Sequence, residues 1–167
     1  MNPAAESVTI VDENNQIIGT ALRSEMRKRR LRHRASFVLV FNARDELYVQ
    51  RRTLTKDIYP GFYDPAAGGV VLSGESCEES ARRELTEELG ISGVELAAHG
   101  DFYFEDEDCR VWGCVFSCRY EGPLRLQPEE VESVTLMTVD EVFSRAQSER
   151  FAPDSLAAVQ CYRERAF

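Results

Sequence analysis

The sequence predicts an α/β fold, a mixed central sheet covered by helices on both sides and preceded by an N-terminal hairpin. Three observations carry that expectation. Short apolar segments, several of them alternating, recur between turn-forming clusters at lengths typical of strands. The stretch Ser76–Gly90 instead repeats its apolar residues every four positions, the period of a helix. The chain has 167 residues, about one domain, and contains no repeat or linker to divide it.

Taken in order, Val8–Val11 and Ile17–Thr20 flank the turn-forming run Asp12-Glu13-Asn14-Asn15 and form a hairpin. A short helix follows over Arg23–Arg30. Ser36–Phe41 is a buried strand, Asn42–Asp45 a turn and Leu47–Arg51 the partner strand. Thr53–Ala67 carries Pro60, Gly61 and Pro65, which predicts an irregular loop. Gly68–Leu72 runs extended into the helix that Ser76 and Glu79 open as a capping box and Gly90 closes. Val94–Phe104 and Arg110–Tyr120 alternate like strands around the acidic turn Glu105–Asp108. Gly122 and Pro123 break the chain before a strand over Val131–Met137. Helices over Val139–Ala146 and Asp154–Arg165 close the domain.

Composition bounds the function. Hydrophobic residues make up 43% and charged residues 29%, the balance of an ordinary globular chain. No apolar run is long enough to span a bilayer, and Met1–Ser7 is no signal peptide, so no membrane partner and a cytoplasmic location are expected. The net charge of −9 argues against binding a nucleic acid polymer. The five cysteines (Cys77, Cys109, Cys114, Cys118 and Cys161) are odd in number and form no CxxC pair, which fits reduced thiols. Cys114 and Cys118 share one strand face and read as small core residues. The stretch Arg23–Arg34 holds Arg27, Lys28, Arg29, Arg30, Arg32 and Arg34, which either form a basic, solvated helix end or, some of them, help hold an anionic phosphate.

The chemistry concentrates in Gly69–Ile91. Cys77, Ala81, Leu85 and Leu89 form the apolar stripe of the helix. Glu84, Glu87 and Glu88 stand at i, i+3 and i+4, so their carboxylates crowd one another, at a cost of a few tenths of a kcal/mol per pair. Three acids gathered in this way form a cage for a hard divalent cation, Mg²⁺ or Mn²⁺. Gly69, Glu75, Arg83, Glu84, Leu85, Glu87, Glu88, Gly90 and Ile91 fill every fixed position of one pattern, the Nudix box. The chain therefore resembles the Nudix hydrolases, metal-dependent enzymes that cleave diphosphate linkages.

That resemblance spans roughly Ala35–Arg145 and implies an α/β/α sandwich. It implies Glu84, Glu87, Glu88 and the Gly69 carbonyl as metal ligands. Glu84 and Glu87 would carry the catalysis, with Arg83 orienting the carboxylates and Glu75 bracing the loop. Gly68 and Gly69 would let the backbone approach the helix. The general base stays open between a box glutamate and acids in Glu105–Asp108 or Glu129–Glu132. Arg51, Arg52 and Lys56 precede the loop that feeds the box, and Arg52 and Lys56 are the candidates to clamp the substrate phosphates. The implied partner is a small diphosphate, by default a nucleoside di- or triphosphate, with sugar nucleotides, dinucleotides and prenyl diphosphates behind it.

Leu31–Ala35, Phe41-Asn42, Gln50–Lys56 and Tyr59-Pro60-Gly61 also resemble type I isopentenyl-diphosphate isomerase, which shares the fold and uses a catalytic cysteine. Here Gly68-Gly69-Val70 occupies the register of the isomerase Cys-Gly-His segment, so that cysteine is missing. His33 matches a metal-site histidine of the isomerase but has lost its companions, which makes it a structural histidine. Since the box is complete, hydrolysis is expected over isomerisation. The complete box also argues against an inactive nucleotide-binding domain.

Overall fold

The chain opens with a 3-10 turn, Pro3–Ala5, in the computed structural model, which describes residues 2–165. Met1, Ala166 and Phe167, the ends of the single domain expected over 1–167, lie outside the described residues. Strands β1 (Ser7–Val11) and β2 (Ile17–Leu22) form the expected hairpin. Asp12 builds its turn, one carboxylate oxygen accepting the N–H groups of Asn14 and Gln16. The outer strand β2 leaves Ile17, Ile18 and Leu22 exposed. Helix α1 (Arg23–Lys28) is fixed by Met26, buried against Val8, Ile10 and Val70.

Strand β3 (Arg32–Phe41) begins earlier than the apolar run that predicts it. Its polar start is held by tertiary partners: His33 is buried, and Arg34 donates to the Asn15 side chain. Strand β4 (Glu46–Arg52) follows a turn at Asn42, whose side chain accepts from Arg44 and Glu46. The loop expected over Thr53–Ala67 contains a two-residue strand, β5 (Tyr63–Asp64), paired with β4. Helix α2 (Cys77–Leu89) precedes β6 (Ala97–Glu105) and β7 (Arg110–Arg119). Strand β6 starts after Val94 because Arg82 donates to the Val94 carbonyl, which therefore joins the helix rather than the sheet. Strand β8 (Val131–Thr138) pairs antiparallel with β4, and α3 (Val139–Arg145) and α4 (Pro153–Arg165) complete the chain.

The sheet is mixed. Strand β3 runs parallel to β7 along its whole length, Arg32 opposite Arg110 through Phe41 opposite Arg119, and antiparallel to the segment Ala67–Val70 on its other edge. Side chains alternate across β3. Val38 and Val40 face Ala81, Leu85 and Leu89 of α2. Phe37, Leu39 and Phe41 face Val142 of α3 and Ala158 and Val159 of α4. Helices thus cover both faces, the α/β/α sandwich expected. Leu85 and Leu89 are fully buried, each contributing about 1.5–3 kcal/mol, so α2 is held rigidly against the sheet.

Candidate active site

Local sequence sets the ends of α2 as expected. Ser76 and Glu79 exchange reciprocal side-chain and backbone hydrogen bonds, and Gly90 adopts the left-handed conformation at φ 69°. With one face locked into the core, Glu84 and Glu88 turn towards the backbone of Gly68 and Gly69. Glu87, with a side chain 47% exposed, points outward.

Arg83 ties the acids together. Its guanidinium donates to Glu75 at 2.6 Å, Glu84 at 2.9 Å and Glu87 at 3.2 Å. Glu75 also accepts the Leu72 N–H at 3.0 Å, so it braces the approach loop as expected. Burial disfavours the Arg83 charge, but Glu75, Glu84 and Glu87 outweigh it and raise its pKa. Glu88 is buried and accepts the Gly68 N–H at 2.8 Å. Burial and then the Glu84 charge push the Glu88 carboxyl well above its usual range, with Lys56 opposing. Burial likewise raises Glu84, against the pull of Arg83. Two carboxyls held this way have an unmet demand for positive charge. Among the described residues, no three His, Cys, Asp or Glu side chains are gathered tightly enough to enclose an ion.

Gly68 is required by contact, since a Cβ there would stand 1.9 Å from the Ser36 carbonyl oxygen; one on Gly69 would meet the end of the Glu84 side chain at 2.6 Å and displace that carboxylate. The Gly69 carbonyl accepts the Ser36 N–H at 2.9 Å and, at 3.5 Å, the Ser36 hydroxyl. Below it the Ser36 and Ser80 hydroxyls meet at 3.0 Å, joining β3 to α2.

Lys56 and Arg52 both turn inward. The Lys56 side chain is 11% exposed, pairs with Glu130 and feels the charges of Glu84 and Glu88. Arg52 is engaged along its whole fork, donating to the Ile58 carbonyl and, at 2.9 Å, to Asp64. Arg51 donates to the Gly61 carbonyl and stacks on Tyr63, a structural role. The basic run of α1 divides. Arg23 and Arg27 converge on Asp57, at 3.0 and 3.1 Å, beside the box. Burial alone would raise Asp57, yet Arg27 and Arg23 hold it well below the carboxylate range. Arg30 and Arg32 instead contact Asp106 and Tyr103, and Arg34 contacts Asn15.

Arg23, Arg27 and Lys56 line two adjoining spaces: an outer cleft of about 370 Å³ towards Thr55 and Glu130, and an inner cavity of about 50 Å³ beneath Gly68 and Gly69. The three cations form the waist between them. Besides Glu129 and Glu130, these walls carry Asp57, Asp64 and Asp154, which the motif does not contain and tertiary folding alone brings in. Cys109 also lines the inner cavity, so a cysteine does approach Gly68 in space although none does so in sequence. Burial pushes its thiol up to about 12, which keeps it protonated beside Tyr59. Cys114 and Cys118 are buried, as the core reading expects. His33 bonds the Leu31 carbonyl, and burial and then Arg27 press its pKa to about 3, so it is a neutral structural histidine.

Among the acidic loops, Asp106 is tied to Tyr59 and Arg30 and Glu105 to Arg30, while Glu130 stands at the cleft against Lys56. No helix among the described residues is long and apolar enough to cross a membrane.

A family profile described as the NUDIX domain matches residues 31–159. An uncharacterized Nudix hydrolase of Yersinia pestis is 52% identical over 98% of this chain and 90% of its own. The crystal structure of DR0079 from Deinococcus radiodurans superposes with a TM-score of 0.81 at 24% identity, covering 94% of this chain and 99% of that one. The NUDIX domain of Shewanella oneidensis NrtR, in a complex with ADP ribose, gives a TM-score of 0.65 at 16% identity, over 81% and 89% of the two chains.

Proposed function

The chain belongs to the Nudix hydrolase family, whose members act on pyrophosphate bonds in phosphorus-containing anhydrides, and from that premise we propose that it hydrolyses the diphosphate linkage of a nucleotide. The substrate is a nucleoside di- or triphosphate or another nucleoside diphosphate derivative, a class to which the ADP ribose of the NrtR complex belongs. Mg²⁺ is the cofactor and Mn²⁺ its substitute. The observation that carries the reading is the opposition of two charge sets: Glu84 and Glu87 bound through Arg83, with Glu88 buried beside them, on one side, and Arg23, Arg27 and Lys56 on the other.

Glu84, Glu87, Glu88 and the Gly69 carbonyl are oxygen donors of the kind a hard cation takes, and the raised carboxyls of Glu84 and Glu88 fit a site that gains from added positive charge. When bound, the ion neutralises phosphate oxygens and lowers the pKa of an attacking water. Arg83 holds Glu84 and Glu87 in place, and its own salt bridge to Glu75 fixes it to the loop. Lys56, Arg23 and Arg27 receive the non-bridging phosphate oxygens, and Arg52 keeps the Thr53–Asp64 loop in shape behind Lys56. Of the acidic-loop residues outside the box, Glu129 and Glu130 line the outer cleft, and they are the candidates there to take a proton from water.

Release of phosphate or nucleotide from a panel of nucleoside di- and triphosphates, sugar nucleotides, dinucleotides and prenyl diphosphates, each with Mg²⁺, tests this reading. Turnover is expected among the nucleotides, and its absence throughout would end the proposal. Isopentenyl diphosphate should be inert or lose phosphate, since the Cys109 thiol is buried and protonated. Formation of dimethylallyl diphosphate at enzymatic rates would favour the isomerase instead.

Lys56→Ala should raise KM about tenfold on the best substrate with a smaller change in kcat, the loss of one charge-assisted phosphate contact. Because this lysine is nearly buried and pairs with Glu130, about 1 kcal/mol of stability should go with it, readable by urea denaturation. An unchanged KM would assign Lys56 to Glu130 alone.

A further inference from the structure

The inner cavity contains an acceptor that the hydrolytic reading does not use. Two acids line it, Asp64 and Asp154. Asp64 is neutralised by Arg52 at 2.9 Å and accepts the Ala66 N–H at 3.1 Å. Asp154, in the first turn of α4, accepts only the adjacent Ser155 N–H, at 2.8 Å through Oδ1. Among the described residues it forms no ion pair, and its second oxygen takes no hydrogen bond. The neutral imidazole of His33 supplies no charge to it. Burial and then the nearby Asp64 push the Asp154 carboxyl up to about 7, although Arg52 and Arg27 partly oppose them. Asp154 is half-buried, and as a lining residue of the cavity it can offer its open oxygen to a donor on a ligand held there.

The position of the cavity decides which part of a ligand it meets. Its roof is Gly68 and Gly69, the glycines beside Glu84 and Glu88, and its mouth is the cationic waist. A diphosphate held at that waist directs one end of its ester inward. At about 50 Å³ the cavity has room for roughly three or four water-sized groups, so it takes a compact terminus. The wall is mixed: Ala35, Phe37, Ile58 and Val111 give it an apolar side, while Asp154, with one oxygen that takes no hydrogen bond, offers it an acceptor.

We propose that this cavity is a recognition subsite for a hydrogen-bond-donating terminus, a hydroxyl or a protonated amine, on the group esterified to the diphosphate, and that Asp154 is the specificity-determining residue that accepts from it. The inference rests on the diphosphate-hydrolase reading. An apolar terminus of the same size leaves the Asp154 oxygen without a donor, so discrimination comes from rejecting the poorer ligand as much as from holding the better one.

Calorimetric binding of non-hydrolysable methylene-bridged diphosphate esters, with Mg²⁺ and the full-length chain, tests it. The esters carry straight alkyl chains of two to five carbons ending in methyl, hydroxyl or ammonium. At one or more chain lengths the hydroxyl or ammonium ester should bind at least tenfold more tightly than the methyl ester. Asp154→Asn keeps the acceptor for Ser155 N–H but turns an amide donor into the cavity, and it should abolish that preference; Asp154→Ala should do the same. Equal affinity of all three termini in the unaltered chain overturns the proposal without reference to any variant. So does a preference that survives Asp154→Asn, or failure of every ester to bind. Hydrolysis of the parent diphosphates is read separately, so a binding preference without turnover counts against the hydrolase reading and not against the subsite.

Discussion

Glu87→Gln is expected to lower kcat by about 10²-fold or more while leaving the fold intact. The carboxylate is 47% exposed and its one described partner is Arg83, at 3.2 Å. Replacing it with the isosteric amide removes a charge from the cation site and no packing from the core, so stability should change by no more than about 0.5 kcal/mol. Arg83 retains Glu75 and Glu84, which keeps the remaining acids oriented. Activity of the unaltered chain should vanish with EDTA and return when Mg²⁺ or Mn²⁺ is added in excess. Circular dichroism and thermal melting separate lost chemistry from lost structure. Full activity in EDTA would sink the metal assignment, and a Glu87→Gln enzyme of normal kcat would remove this glutamate from it.

Gly68→Ala should cost about 3–5 kcal/mol, which for a domain of this size lowers Tm by roughly 10 °C. Gly68 sits at φ +148°, a conformation that L side chains rarely adopt, and its Cβ would be placed 1.9 Å from a backbone oxygen of β3. Backbone, unlike a side-chain tip, cannot swing aside. The shift would also pull the Gly68 N–H from Glu88, leaving that buried carboxyl without its backbone donor, so activity should fall as well. Gly74→Ala is the control. It too has positive φ, at +82°, but nothing lies within 4 Å of its Cβ, so only the strain term of about 1 kcal/mol applies. Equal stability of the two variants would show that the segment before the box can move without loss.

The parts of this site that sequence alone reveals are those whose physics is local. Ser76, Glu79 and Gly90 announce a helix through caps acting within a few residues, and Glu84, Glu87 and Glu88 share a side through helical periodicity. Arg83 and Glu75 lie within one turn-and-helix unit, and their pairing follows the motif. The walls of the two spaces were not legible, because their acids come from places with no common pattern: Asp57 in a loop, Asp64 in the short strand β5, Asp154 in the last helix. The basic run over Arg23–Arg34 was visible, but only the burial of Met26 decides that Arg23 and Arg27 face the site while Arg34 faces the hairpin. The early start of β3 was hidden because Arg32 and Arg34 resemble a solvated turn until their partners are known. No local signal marks Cys109 as a cavity residue.

The parallel pairing of β3 with β7 sets an order of events for the folding chain. Helix α2 lies between these strands in sequence, and its capped ends need no distant partner, so it can gain helical character early. The strand pair must first close a long loop around it, an entropic cost met before any contact compensates. The inner cavity waits longer still, because Asp154 arrives with the final helix. During synthesis from the N-terminus the acids of α2 are therefore made before α4, the helix that completes the inner cavity.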